Sequence, residues 1–267
     1  MTLFYDKINN RLIYIGEASN PDFWDKHWDK NTIEKMYPKK ISKFDYVVNT
    51  TKKYLPEKSL ILEGGCGTGQ QVFKLQQSGY EAIGIDYAEK TVETVKKAKP
   101  ELDIRLGDVR KLDFPDNYFD GCWSFGVIEH FFNGYDEILN EMQRVIKPDG
   151  YLFITFPYMS RLRKIKSRKG KYPIWKNSEQ ETENFYQFAL DAKKVIADLE
   201  KTGFKLIAKQ HLSGIKGLKD EVKFLKKPLQ KIYDSRSFFG LVTSKIISDL
   251  FAPFAAHSIL LILRKKK

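Results

Sequence analysis

The segment "ILEGGCGTG", residues 61–69, sets a carboxylate and four glycines directly behind an apolar run. A strand, a glycine loop and a helix start aim backbone N–H groups at whatever binds there. The spacing Gly65-x-Gly67-x-Gly69 departs from the G-x-G-x-x-G dinucleotide fingerprint. Glu63, just before the loop, would repel a pyrophosphate and suits a ligand carrying positive charge. No Gly-Lys-Ser/Thr follows, which excludes a P-loop. Asp86 closes the next apolar run, in "GIDYAEK", where an acid can accept from two ribose hydroxyls. Tyr87 beside it can pack on a purine. In "GDVRKLDFPD", Asp108 can accept from an adenine amino group while Val109 offers apolar contact. His130, in "GVIEHFF", is the candidate general base; the alternative is a histidine that packs against a ligand or caps the next helix.

These residues need a scaffold, and the chain supplies an alternating one. Strand patterns at "SLILEG", "EAIGID", "ELDIRLGD", "YFDGCWSF", "YLFITFP", "FKLIAKQHL" and "HSILLILRK" are separated in their first part by helical patterns, the signature of an α/β fold with a mainly parallel sheet. Phe44, Val47, Val48 and Leu55 stand near helical spacing, and "DEILNEMQRVIKPDG" is an amphipathic helix stopped by Pro148-Asp149-Gly150. Asp191 is the expected N-cap of a helix over 191–202, with Leu190 and Val195 as its hydrophobic staple. "ENFYQFAL", 183–190, reads as the entry to that helix. Two long stretches, 158–187 and 214–255, interrupt the alternation.

"ILEGGCGTG", "GIDYAEK", "GDVRKLDFPD", "YFDGCWSFGVIEHF" and "IKPDGYLFITFP" resemble, in order and spacing, the successive motifs of class I S-adenosylmethionine-dependent methyltransferases, and more narrowly the bacterial group called methyltransferase type 11. The resemblance covers residues 41–157 well and 188–213 and 256–264 loosely. It implies a Rossmann-like α/β fold: a seven-stranded, mainly parallel sheet with the last strand antiparallel and helices on both faces. It also implies S-adenosylmethionine as cofactor. Glu63 would then face the methionine ammonium. Gly65, Cys66, Gly67, Gly69 and Gln70 would form the loop around it. Asp86 would hold the ribose, with Tyr87 beside it packing on the purine, Asp108 and Val109 the adenine, and Ser124 and Phe125 the far wall. Where Gly64 stands, the family usually has an apolar or small residue.

The expected organisation is a single methyltransferase domain over 1–267, with an N-terminal lid in 1–40 and basic cap insertions at 158–187 and 214–255. Trp24 and Trp28, at i and i+4, share one face of the lid. The net charge is +12, and the insertions carry +5 and +4 of it. The charge therefore sits on the cap, which points to an anionic acceptor, small-molecule or lipid-linked, or to an anionic membrane surface. Leu218, Val222, Leu225, Leu229 and Ile232 repeat at a 4-3-4-3 spacing with lysines between, a basic amphipathic helix that Pro228 would kink or divide. An RNA substrate is disfavoured, because no separate RNA-binding module and no base-stacking platform is evident; a protein that binds the cofactor without catalysis is a further alternative.

Glu129 and Glu137 do not match the paired-glutamate loop of protein arginine methyltransferases, and "FPYM" is not the Asn/Asp-Pro-Pro-Tyr of amino-directed DNA methyltransferases. Two cysteines are too few for a disulfide scaffold and lack metal-ligand spacing, so no metal is expected. The N-terminus shows no secretory pattern, and "LFAPFAAHSILLIL" is shorter than a bilayer span. A cytoplasmic setting, with peripheral contact at the inner membrane surface, is the expectation.

Overall fold

The computed structural model describes residues 1–27, 36–176, 182–235 and 237–267; Trp28, the second tryptophan of the expected lid pair, lies outside them. A seven-stranded sheet forms the centre. Its strands are β3 (Leu60–Gly64), β4 (Glu81–Asp86), β5 (Asp103–Leu106), β6 (Phe119–Phe125), β7 (Ile146–Pro157), β9 (Phe204–Leu212) and β10 (Ser258–Lys265). The order is β5-β4-β3-β6-β7-β10-β9, and only β10 runs antiparallel to its neighbours. The strands read as continuous apolar runs because helices cover both faces. Ile61, Leu62, Cys122, Trp123, Phe153 and Ile154 are all fully buried.

The helices between the strands are α2 (Tyr46–Tyr54), α3 (Gln70–Gln76), α4 (Glu89–Ala98), α5 (Asp136–Val145) and α7 (Ala192–Lys201). Asp45 caps α2 by accepting from the Val47 and Val48 amides. Phe44 precedes that cap, and so it is 84% exposed instead of joining Val47 and Val48 in the core. Asp191 caps α7 through the Lys193 amide, and Leu190 and Val195 are both buried, as a hydrophobic staple requires. α5 ends at Val145, before Pro148-Asp149-Gly150, which instead lies in the first part of β7, with Asp149 at φ +65°.

A second sheet was not evident in the sequence. β1 (Thr2–Asp6), β2 (Arg11–Ile15) and β8 (Phe185–Ala189) form a three-stranded antiparallel sheet in the order β1-β2-β8. "ENFYQFAL" is thus a strand and not a helix entry, and the N-terminal region is a hairpin followed by α1 (Pro21–His27) rather than helices alone.

The two insertions leave β7 and β9 at the carboxyl edge of the sheet, the edge where Gly64, Asp86 and Phe125 end their strands. The first carries α6 (Arg161–Arg168) and β8. The second carries α8 (Gly214–Glu221), a 3₁₀ turn (Lys223–Leu225), α9 (Lys226–Tyr233) and α10 (Phe238–Ala255). The helical break falls at Val222, with φ −117° and ψ 97°, and not at Pro228. Pro228 sits in the first turn of α9, where its missing N–H costs nothing. Leu218, Val222, Leu225, Leu229 and Ile232 pack together with Ile247 and Phe251 of α10. The predicted amphipathic seam is therefore turned inward, against its own neighbours.

A buried ion network joins the insertions. Arg163 of α6 is 1% exposed and donates to Glu221 Oε1 at 2.8 Å, to the Tyr158 carbonyl at 2.9 Å and to the His257 carbonyl at 3.2 Å. Lys166 and Tyr172 donate to Glu221 Oε2 at 2.5 and 2.6 Å. Despite its burial, Glu221 is held below the usual carboxylate range by these cations and donors.

Candidate active site

Glu63, Gly65, Cys66, Gly67 and Gln70 from the first loop line one cavity of about 290 Å³. Asp86, Tyr87, Asp108, Val109, Phe125 and His130 complete the set of sequence-predicted residues that meet there. Trp24 and Met36 close it from the N-terminal region. Gly107, Gly126, Val127 and Phe131 also line it and carried no signal in the sequence beyond flanking the motifs.

Gly69 and Ser124 are not among the lining residues. Gly69 starts α3 at φ +68°, and a Cβ there would meet Ile104 Cδ1 at 2.9 Å, so its role is packing. Ser124 is fully buried within β6 and its Oγ has no partner among the described residues. Gly65 shows why the loop is bare: at φ +73° its Cβ would lie 2.5 Å from Val127 Cγ2. Gly64 has an account of a different kind. A Cβ there would stand 3.2 Å from Val109 Cγ1, so its bareness makes room for the Val109 side chain.

Three carboxylates, Glu63, Asp86 and Asp108, line the cavity, and no lysine or arginine among the described residues does. Glu63 is 3% exposed and accepts from the Val72 amide at 3.0 Å. Burial, with repulsion from Asp86, pushes its pKa up to about 8 against the Val72 hydrogen bond. Asp86 accepts from the Gly67 amide at 2.7 Å and the Ala88 amide at 3.0 Å, and burial raises its pKa. Each oxygen keeps a further lone pair for an incoming hydroxyl. Asp108 is bound by Arg110, whose Nη2 lies 2.6 Å from Oδ2, and its pKa is lowered although burial opposes this. This wall suits a cationic head followed by a ribose, and it repels a pyrophosphate.

The N-terminal region is tied down over this wall. Asp25 of α1 accepts from the Thr91 amide at 2.8 Å and its hydroxyl at 2.9 Å, which caps α4 from another segment. Gln70 donates to the Met36 carbonyl, and Tyr87 to the Ser19 carbonyl at 3.1 Å.

His130 sits where this cavity meets a second one, of about 590 Å³. Tyr87, His130 and Phe131 belong to both, and Ser19, Asn20, Arg110, Asn133, Asp136 and Glu137 make the second polar. His130 Nδ1 lies 2.7 Å from the Tyr186 carbonyl. A carbonyl only accepts, so Nδ1 carries the proton and Nε2 keeps its lone pair. Burial lowers the pKa to about 4, against the Tyr186 hydrogen bond. Tyr186 is the extra residue of a bulge: Tyr14 pairs with Gln187 and Ile15 with Phe185, which leaves its carbonyl for His130 and for Ser19 Oγ at 2.8 Å. No described residue of 214–255 lines either cavity, and 158–187 reaches the site from behind, through the Tyr186 carbonyl and ring against His130 and the Phe185 ring against Phe132.

Glu129, next to His130, is 2% exposed, and its Oε2 has no hydrogen-bond partner among the described residues. Burial pushes its pKa up to about 8. A carboxyl raised in the folded state gives its full stability below its ordinary pKa and loses it as pH rises toward 8. Glu129→Gln is therefore expected to gain on the order of 2 kcal/mol over the parent at about pH 8.5 and almost nothing at about pH 5, measured by urea unfolding. Parallel stability curves for the two proteins would show that this carboxyl does not titrate between those limits.

The comparisons agree with this geometry. The family model described as "Methyltransferase domain" matches residues 62–154. A "Probable S-adenosylmethionine-dependent methyltransferase" of Mycolicibacterium smegmatis is 35% identical over 97 residues, 36% of this chain and 37% of that protein. The match thus spans little more than a third of that relative. Among solved structures, the TehB-like SAM-dependent methyltransferase of Corynebacterium glutamicum superposes with TM-score 0.54 at 15% identity, over 92% of this chain and 98% of that one. The [4+2]-cyclase SpnF superposes with TM-score 0.58 at 16% identity, over 95% and 98%. At such identities the structures speak for the fold alone. The motif order, the acid-lined cavity at the strand ends and the family match agree on a methyltransferase domain over residues 62–154.

Proposed function

We propose that the protein transfers the methyl group of S-adenosylmethionine to a small or medium-sized polar acceptor carried on an anionic group, sugar-, nucleotide- or lipid-linked. The observation that carries the transfer is the acid-lined cavity, without lysine or arginine among the described residues, which shares Tyr87, His130 and Phe131 with a second, polar one; the anionic group rests on the net charge of +12. When bound, S-adenosylmethionine supplies an electrophilic methyl on a sulfonium. The protein's task is alignment and the exclusion of water, which Trp24 and Phe131 serve by walling the junction. Glu63 faces the ammonium end and Asp86 the ribose hydroxyls. His130, with its lone pair on Nε2, takes the proton of an acceptor hydroxyl or amine as the new bond forms.

Labelled S-adenosylmethionine, offered with fractionated cell extract, should mark an anionic small molecule or lipid fraction, identified by product mass. Incorporation into tRNA alone, or none in any fraction despite cofactor binding, overturns the proposal. With the acceptor in hand, His130→Gln should lower kcat by about 10²-fold with little change in cofactor KM. The neutral imidazole is present above about pH 4 and lost as pH falls through it, so the acid limb of kcat should lie near 4. A limb near the ordinary histidine value would mean that some other group is the base.

A further inference from the structure

We infer that α10 and the lysine-bearing turn beside it form a docking face for an anionic lipid surface. On α10, Val242, Ile246, Leu250 and Phe254 recur every fourth residue and are 40%, 60%, 69% and 39% exposed. The helix cannot rotate to hide them, because its other face is locked. A Cβ on Gly217 would fall 1.7 Å from the Ala255 carbonyl oxygen, and one on Gly214 would fall 2.2 Å from that of Ser248. The Gly214 amide also donates to Ser248 Oγ at 2.9 Å. The apolar row is therefore a fixed outward feature of the second insertion.

The charge around it decides what covers it. Every described carboxylate of this insertion has a partner: Glu221 with Arg163 and Lys166, Asp220 with Lys219, Asp249 with Lys245, and Asp234 with Gln230. Lys223, Lys226, Lys227 and Lys231 are exposed and form no ion pair among the described residues, and Phe224 among them is 80% exposed. α9 packs against α10, so these cations stand on the segment next to the helix that bears the row. A two-fold contact with a second copy would bring the same lysines face to face, which costs energy. A leaflet rich in anionic lipid offers acyl chains to the row and headgroups to the lysines at once. No helix of the described residues is long and apolar enough to cross a membrane, so the contact is peripheral. The insertion rises from the same sheet edge as the cofactor cavity, so docking would turn that edge toward the lipid.

The test is flotation of the whole protein with vesicles of phosphatidylglycerol and phosphatidylcholine, against vesicles of phosphatidylcholine alone, at low and high salt. Retention is expected only on the anionic vesicles, falling as salt rises. Lys226→Gln/Lys227→Gln/Lys231→Gln should lower partition by about 100-fold, since each lysine near an anionic surface contributes roughly fivefold. Ile246→Glu/Leu250→Glu should lower it by at least about tenfold. Both variants should keep the parent's circular dichroism and S-adenosylmethionine affinity, which separates this inference from the proposed reaction. The inference is overturned if the parent is not retained on anionic vesicles, or if Ile246→Glu/Leu250→Glu leaves retention unchanged. It is also overturned if light scattering shows a dimer that this variant dissolves while vesicles retain neither protein.

Discussion

Asp86→Ala is expected to lose S-adenosylmethionine affinity by about two orders of magnitude, because two hydroxyl-to-carboxylate hydrogen bonds vanish and each is worth about 1.5–3 kcal/mol before compensation. The same change removes the acceptor of the Gly67 and Ala88 amides, so part of the loss comes through the loop. Asp86→Asn separates the two effects. It keeps one acceptor oxygen for a backbone amide but presents an N–H₂ where the other oxygen stood. The alanine variant should also unfold about 1–3 kcal/mol more easily, since it leaves donors beneath the cavity unpaired. Calorimetric titration reads the first quantity and urea unfolding the second. An unchanged affinity in Asp86→Ala would mean that this carboxylate holds the loop and no ligand.

Arg163→Ala should destabilise the protein by about 3 kcal/mol, the low end for breaking a buried ion pair, because Lys166 and Tyr172 stay beside Glu221. The damage should be local first. Hydrogen exchange should rise in α6 and α8, which Arg163 and Lys166 join through Glu221, while β3 and β6 stay protected. Arg163→Met/Glu221→Gln is the control. With both charges gone from the interior, it should recover most of the loss. If the single and double variants unfold alike, the two insertions are held by packing and the ion network is incidental.

β3, β4 and β6 were legible because each is an apolar run that meets glycine or aspartate at its end, and Gly65, Asp86 and Gly126 at those ends line the cavity. Glu63, Asp86 and Asp108 could be placed from sequence for the same reason: each stands where a parallel strand ends. The small sheet was not legible. β8 is five residues long and pairs with a hairpin at the other end of the chain, and nothing local marks that partnership. The seam from Leu218 to Ile232 had the right period, yet periodicity says only that a face is apolar and not what covers it. Its cover is α10, whose outer row is as apolar as its inner one and reads no differently. Arg163 and Glu221 looked like ordinary surface charges, since burial of a pair across 58 positions leaves no local trace.

The bulge at Tyr186 sets a schedule for the chain as it leaves the ribosome. The hairpin at residues 2–15 is made long before residues 185–189, for which the free edge of β2 must wait. Until that late strand arrives, His130 lacks the carbonyl that fixes its proton on Nδ1, although the loop around Glu63 and Asp86 has long since emerged. Contacts so distant in sequence form late and slowly. The nascent protein should therefore hold its cofactor wall well before it acquires an oriented base, and a chain arrested before residue 185 would own the first without the second.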